Sequence, residues 1–153
     1  MNGLDDLEET PNTYRILVDK TPFELSHKSL SKSDYLKSIV ELDTTTNDID
    51  ISAIISSVQG KNVKELAIKA FEFLREYQDR DEEVIPTPVP DTYFSKNEWH
   101  VNFINQFEMD ELIVMLNIAS YLCVMFLVEL CCAKIASLMR FMTNDEIREL
   151  LEN

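Results

Sequence analysis

Apolar and polar residues alternate in the stretch YRILVDKTPFELS, which begins at Tyr14. A period of two is typical of a β-strand with one buried face. The alternation has two halves on either side of residues 19–22, which predicts a β-hairpin with its turn there. The residues predicted to share one face are Tyr14, Ile16, Val18, Phe23 and Leu25. The stretch NDIDIS, from residue 47, predicts one further short strand.

Later segments have apolar residues at intervals of three and four, the period of an amphipathic helix. Ser33 precedes the first of these segments and Asn62 precedes the second, and both residue types favour helix N-caps. A third apolar period starts at Trp99 and continues beyond residue 130. In the last segment, TNDEIRELLEN, Thr143 and Glu146 have the spacing of a capping box. A small sheet followed by helices predicts an α+β fold.

The stretch LIVMLNIASYLCVMFLV, residues 112–128, has no charged residue and could be a membrane helix or part of a core. A membrane-spanning helix needs about 20 predominantly apolar residues. This run is shorter, contains Asn117 and Ser120, and is followed at once by Glu129. The pattern therefore favours a core over a membrane span.

Two segments lack this periodicity and define the predicted domain organisation. Residues 1–12 are predicted to be a disordered acidic tail. Residues 78–98 include the stretch DEEVIPTPVPD and predict an acidic, proline-containing loop. The folded domain is predicted to span residues 13–142, and residues 143–153 to form a C-terminal extension.

Charge restricts the class of partner. The chain has 28 acidic against 14 basic residues and a formal net charge of -14. Such a surface repels phosphate backbones and anionic lipid, which argues against nucleic-acid or membrane partners. The N-terminal stretch MNGLDDLEET lacks the basic region of a signal peptide, so we expect the protein in the cytoplasm and nucleus.

The residues offer little for catalysis. The chain has two glycines, Gly3 and Gly60, too few for a glycine-rich phosphate loop or a nucleophile elbow. His100 is predicted to be a surface histidine, and Asp110 and Glu111 to be helix-start charges. A binding module explains the sequence better than an enzyme does, and we expect no catalytic residue and no cofactor.

The three cysteines, Cys123, Cys131 and Cys132, lie within or just after the apolar stretch. There is no C-x-x-C pair, and the two histidines are far apart in sequence, which argues against a metal site. Adjacent cysteines rarely form a relaxed disulfide with each other. The prediction is reduced core thiols that act as small hydrophobic residues.

The C-terminal third carries motifs of a known family. Its segments WHVNFI, ELIVMLNIASYL, VELCCAKIASLM and TNDEIRELLEN resemble the S-phase-kinase-associated adaptors of SCF ubiquitin ligases, which are related to elongin C. That family has a Trp followed four residues later by Phe, an A-N-Y-L type motif, an apolar helix with a Cys, and a T-P-E-E-I-R type helix start. The matching residues here are Trp99, Phe103, Ala119, Ser120, Tyr121, Leu122, Cys132 and Thr143 to Arg148. The resemblance starts at about Tyr14 and is looser before Gln78.

The resemblance implies a BTB/POZ fold and a non-catalytic adaptor that bridges a cullin to an F-box substrate receptor. It implies that the apolar stretch forms two packed helices with a bend near Tyr121 and Leu122. Carried over to this chain, it assigns cullin binding to Ser120 and Tyr121. The resemblance, together with the apolar pattern of the last helix, assigns F-box binding to Leu138, Ile147, Leu150 and Leu151. The alternative is a structural assembly subunit, kinetochore or elongin C-like, that does not bind a cullin.

Three departures from the family pattern carry further expectations. Ser120 stands where the family usually has Asn, so one polar contact to the cullin would be shortened or lost. The residues CVMF, 123–126, replace a stretch with Asp, Lys and Gly, which predicts either an exposed apolar patch or deeper burial. The sequence stops soon after the T-P-E-E-I-R type helix, so residues 143–153 would be a truncated F-box-binding extension. We therefore expect weaker F-box binding than in longer relatives.

Overall fold

The computed structural model describes residues 13–45, 47–77 and 98–152. The predictions for the acidic tail at residues 1–12 and for the proline-containing loop up to residue 97 lie outside the described residues. Glu98, predicted as the last loop residue, is instead the first residue of a helix.

The described part of the chain contains one three-stranded sheet, formed by β1 (Thr13–Val18), β2 (Thr21–Ser26) and β3 (Asp48–Asp50). Its strand order is β2-β1-β3, with β1 antiparallel to β2 and parallel to β3. The hairpin prediction is confirmed, but its turn is shorter than the predicted residues 19–22, because β2 begins at Thr21 and the turn contains only Asp19 and Lys20. Both have positive φ, 50° and 74°, as a type I′ turn requires.

Helices make up most of the remaining described chain and begin immediately after β2. They are α1 (His27–Leu30), α2 (Asp34–Leu42), α3 (Ser52–Ser57), α4 (Val63–Tyr77), α5 (Glu98–Asn105), α6 (Met109–Leu122), α7 (Met125–Met139) and α8 (Asn144–Glu152). A small N-terminal sheet followed by helices confirms the α+β prediction and is consistent with a BTB/POZ-like arrangement.

Local capping signals account for where several helices begin. The Ser33 hydroxyl accepts a hydrogen bond from the Leu36 amide, as an N-cap should. Asn62 precedes α4 with φ 58°, and its carbonyl accepts from the Leu66 amide. The two short helices α1 and α3 were not predicted, because four and six residues are too few to show a helical period.

The apolar stretch is split into two helices, as the resemblance implies. Helix α6 ends at Leu122, and α7 begins at Met125. Between them Cys123 adopts the left-handed conformation, with φ 54°. Buried side chains from both helices belong to the hydrophobic core. Within the described residues, no helix is long and apolar enough to cross a membrane.

His100 is a correction, because the structure buries it completely instead of leaving it on the surface. Its ring packs near those of Phe73, Trp99 and Phe126, at centroid distances of 6.0, 5.9 and 5.0 Å. Phe73 lies on α4 and Phe126 on α7. The burial therefore depends on elements distant in sequence, which the neighbouring residues of His100 do not reveal.

The cysteine prediction is right for Cys131, which is buried, and wrong for Cys132, which is exposed. Cys132 lies about 100° further around α7 than Cys131, on a side that faces solvent. Burial raises the pKa of both thiols, and the nearby Glu129 carboxylate raises the pKa of Cys132 further. In the described ranges, no group of three or more His, Cys, Asp or Glu residues could hold a metal ion.

Candidate protein interaction surfaces

The C-terminal end of α6 presents two side chains to solvent. Ser120 is exposed, and Tyr121 is 49% exposed although it is a large aromatic residue. Its neighbours Ala119 and Leu122 are completely buried. The buried residues hold this end of the helix against the core, so Ser120 and Tyr121 stand on a firmly anchored turn.

A Schellman motif ends α6 at this position. The Val124 amide donates to the Ala119 carbonyl over 2.9 Å, and the Cys123 amide donates to the Ser120 carbonyl over 3.2 Å. The left-handed residue of such a motif is usually glycine, but here it is Cys123. The bend next to Tyr121 therefore has a defined hydrogen-bonded geometry.

The residues CVMF at the bend, 123–126, show both predicted outcomes, apolar exposure and deeper burial. Val124 and Phe126 are buried, whereas Met125 is 55% exposed. Met125 follows Tyr121 by four residues across the bend, so each side of the bend has one exposed large apolar side chain. The predicted exposed apolar patch is therefore present at Met125, and the predicted deeper burial at Val124 and Phe126.

Helix α8 forms a second candidate surface. Its capping box is present, with the Thr143 hydroxyl accepting from the Glu146 amide and the Glu146 carboxylate accepting from the Thr143 amide, both at 3.1 Å. None of its residues is buried: Ile147 and Leu150 are partly exposed, and Leu151 is 71% exposed. The apolar face of α8 is therefore partly covered at Ile147 and Leu150 and open to solvent at Leu151.

Leu138, the fourth residue assigned to F-box binding, lies near the end of α7. It is partly buried and packs against the hydrophobic core. Leu150 instead lines a cleft together with Ile113 and Val114 of α6. The structure therefore places Leu150 next to α6, and Leu138 at the edge of the core.

This cleft, the α6–α8 cleft, has a volume of about 710 Å³. It is lined by Gln59, Gly60, Lys61, Asn62, Glu108, Asp110, Glu111, Ile113, Val114 and Leu150. Apart from Leu150, none of these residues was predicted as a site residue. Gly60 packs so closely against Val114 that a Cβ added at Gly60 would clash with Val114 Cγ2. This close contact marks where the loop meets α6. Sequence alone does not show which helix the Gly60 loop meets.

The acidic side of the α6–α8 cleft has a structural role at the start of α6. Glu108 and Glu111 form a capping box, in which the Glu111 carboxylate accepts from the Glu108 amide over 3.0 Å. The Asp110 carboxylate accepts from the Glu111 amide over 2.9 Å. The prediction that Asp110 and Glu111 are helix-start charges is therefore confirmed. Their charges also give the cleft an acidic edge beside its apolar residues.

Comparison with known proteins supports the motif-based resemblance. No protein-family model matches the chain. A curated relative does match. The chain is similar to an S-phase kinase-associated protein. That relative is the S-phase kinase-associated protein 1 homolog of Tetrahymena thermophila, and the two are 27% identical over 128 residues. The alignment covers 82% of this chain and 72% of the relative.

Proposed function

We propose that this chain is an adaptor subunit of a cullin-based, SCF-type ubiquitin ligase that bridges a cullin to an F-box substrate receptor. The observation that carries the proposal is the presence of two exposed surfaces at opposite ends of α6. Ile113, in the α6–α8 cleft, and Tyr121 are eight residues apart, or about 12 Å along the helix axis. One rigid helix therefore connects the two proposed contact regions.

The proposed cullin contact contains Ser120 and Tyr121. A half-exposed tyrosine on an anchored turn offers a rigid amphipathic ring, the kind of residue that often dominates binding energy at protein interfaces. Met125, four residues further on and across the bend, is a second exposed apolar side chain. The similarity to an S-phase kinase-associated protein supports a cullin as the partner of this surface.

The proposed F-box contact contains Ile147, Leu150 and Leu151, with the α6–α8 cleft beside them and Leu138 at its margin. A partly exposed apolar helix face next to a cleft suits the helix-in-groove mode of recognition, in which an amphipathic partner helix lays its apolar side against the groove. The acidic edge formed by Glu108, Asp110 and Glu111 favours a partner segment with basic residues at that position.

An adaptor of this kind acts by holding two proteins at a set geometry, so the role requires no catalytic residue and no cofactor. Cullins and F-box receptors meet in the cytoplasm and nucleus, where we propose that this chain acts. Its strongly acidic surface is consistent with protein partners and unfavourable for nucleic acid.

The proposal is tested by mixing the purified chain with a cullin N-terminal domain and following co-migration in size-exclusion chromatography. We expect co-migration for the wild type. We expect Tyr121→Ala to weaken binding by roughly 1 to 3 kcal/mol without changing the helical circular dichroism, because the ring is exposed. Leu42→Ala, which removes another exposed apolar side chain, is the matched control and should bind like the wild type.

Two outcomes would distinguish the adaptor from the structural assembly subunit or contradict the assigned contact. An unchanged cullin affinity in folded Tyr121→Ala would contradict the assignment of the cullin contact. A folded wild-type chain that captures an F-box segment but no cullin would instead fit a structural assembly subunit.

A further inference from the structure

The turn that carries Tyr121 is attached to the start of another helix. Ser33 is completely buried, and its hydroxyl donates a hydrogen bond to the Leu122 carbonyl oxygen over 2.6 Å. One residue further on, the Asp34 amide donates to the Cys123 carbonyl oxygen over 3.3 Å. Two successive residues at the start of α2 thus bind two successive carbonyls directly after Tyr121.

These contacts satisfy carbonyls that helix geometry leaves open. The last carbonyls of a helix have no hydrogen-bond donor within it. In the Schellman motif, the carbonyls of Ala119 and Ser120 accept hydrogen bonds from the amides that follow the helix. The Ser33 hydroxyl and the Asp34 amide donate hydrogen bonds to the carbonyls of Leu122 and Cys123. The positive N-terminal end of α2 also faces the negative C-terminal end of α6, an electrostatically favourable arrangement.

The Ser33 hydroxyl has two functions at once. As an acceptor it caps α2 by binding the Leu36 amide over 3.2 Å. As a donor it holds the end of α6 through the Leu122 carbonyl. Losing the acceptor affects the start of α2, whereas losing the donor releases the peptide unit next to Tyr121. Since the Tyr121 ring is half exposed, its direction depends strongly on the backbone that carries it.

We propose that Ser33 is a positioning residue for the Tyr121 surface: its hydroxyl fixes the end of α6 in the orientation that presents Tyr121 to a partner. This inference rests on the proposed cullin contact. It adds a buried residue, 88 positions before Tyr121 in the sequence, to the determinants of that contact. Ser33 itself need not touch the partner.

The test measures the affinity of three variants of the chain, Ser33→Ala, Ser33→Thr and Val40→Ala, for a cullin N-terminal domain. Each affinity is compared with that of the wild type. Ser33→Ala removes both the donor to the Leu122 carbonyl and the acceptor that caps α2, whereas Ser33→Thr retains a hydroxyl. Val40→Ala removes a buried side chain from the same helix without touching the Leu122 carbonyl, so it controls for lost stability. We expect Ser33→Ala to weaken binding by roughly tenfold, and Ser33→Thr and Val40→Ala to remain within about twofold of wild type.

A second readout does not need the cullin. Fluorotyrosine at Tyr121 reports the ring environment by fluorine NMR, and we expect its resonance to shift or broaden in Ser33→Ala but not in Val40→Ala. If Ser33→Ala does not fold, Ser33→Cys replaces it, because a thiol of similar shape is only a weak donor. We expect Ser33→Cys to change the cullin affinity and the fluorine resonance in the same direction as Ser33→Ala.

The outcomes separate this inference from the proposed function. A wild-type chain that binds no cullin overturns the cullin contact, while the fluorine signal still decides whether Ser33 positions Tyr121. Equal cullin affinity and an equal Tyr121 resonance in Ser33→Ala and Val40→Ala would overturn the positioning role. Loss of binding in Ser33→Ala with recovery in Ser33→Thr supports it.

Discussion

The α6–α7 pair and α8 each carry apolar residues, yet they bury them to very different extents. Buried residues occur along both α6 and α7, whereas α8 has none. The local start signals are alike, because Glu108 with Glu111 and Thr143 with Glu146 each form a capping box. Capping therefore decides where a helix begins, and tertiary packing decides whether its apolar residues form core or surface. The partly exposed apolar face of α8, with Leu151 in solvent, is what makes it a candidate contact.

The largest expected difference comes from the same substitution made in both regions. Leu112→Ala removes a completely buried side chain of α6 and should lower the free energy of unfolding by roughly 2 to 5 kcal/mol. Leu151→Ala, at a residue 71% exposed on α8, should change it by less than about 0.5 kcal/mol. Urea denaturation of both variants checks the contrast. Similar losses in the two variants would show that α8 is part of the core.

A charge placed on the open face of α8 should affect binding more than folding. Ile147→Asp puts a carboxylate on a partly exposed position of the proposed F-box contact. Burying it against an apolar partner should weaken binding of an F-box segment by at least about 2 kcal/mol. The melting temperature should change little. Calorimetric titration and thermal unfolding of the same variant give the two quantities.

Asn144→Asp is the matched control for Ile147→Asp, because it adds the same charge at an exposed residue in the first turn of α8. Its F-box affinity should stay close to that of the wild type. If Ile147→Asp lowers the melting temperature markedly and Asn144→Asp does not, Ile147 contributes to the core and the comparison between the two regions fails.

The close packing of α6 against the Gly60 loop gives the next prediction. Gly60 has φ 136°, and an added Cβ would meet the Val114 side chain on α6. Gly60→Ala should therefore lower the free energy of unfolding by roughly 1 to 3 kcal/mol. Adding Val114→Ala removes the clash but not the backbone strain. A double-mutant cycle measured by denaturation should show partial recovery, and simple additivity would contradict the steric explanation.

The smallest expected effect concerns the start of α8. Thr143→Ala removes the hydroxyl that accepts from the Glu146 amide, which typically costs about 1 kcal/mol of helix stability. Because α8 has no buried residue, the loss should appear as faster hydrogen exchange in its first turn, with little change in global unfolding. Slow exchange that is unaffected by Thr143→Ala would indicate that packing, not the cap, holds α8.

Sequence patterns predicted the features that depend on neighbouring residues. The hairpin follows from the alternation around Tyr14, the start of α2 from Ser33, and the start of α8 from Thr143 and Glu146. Each of these rests on hydrogen bonds or burial within a few residues. The division of the apolar stretch near Tyr121 came from family motifs, because its continuous hydrophobicity gives no periodic signal for a bend.

Features that depend on distant contacts were missed. His100 is buried by rings from α4 and α7, and Cys132 is exposed although its neighbour Cys131 is buried. The α6–α8 cleft joins the Gly60 loop, the start of α6 and Leu150, which are far apart in sequence. The bond from Ser33 to Leu122 likewise spans 89 residues. None of these pairings leaves a local pattern, so only the fold reveals them.

Sedimentation equilibrium of this chain mixed with a cullin N-terminal domain and an F-box segment tests the central claim most directly. Two separate surfaces on α6 and α8 should allow both partners to bind at once. We therefore expect one species whose mass is the sum of one copy of each component. If the cullin domain and the F-box segment displace each other, or if the cullin domain sediments alone, the claim that this chain bridges the two is wrong.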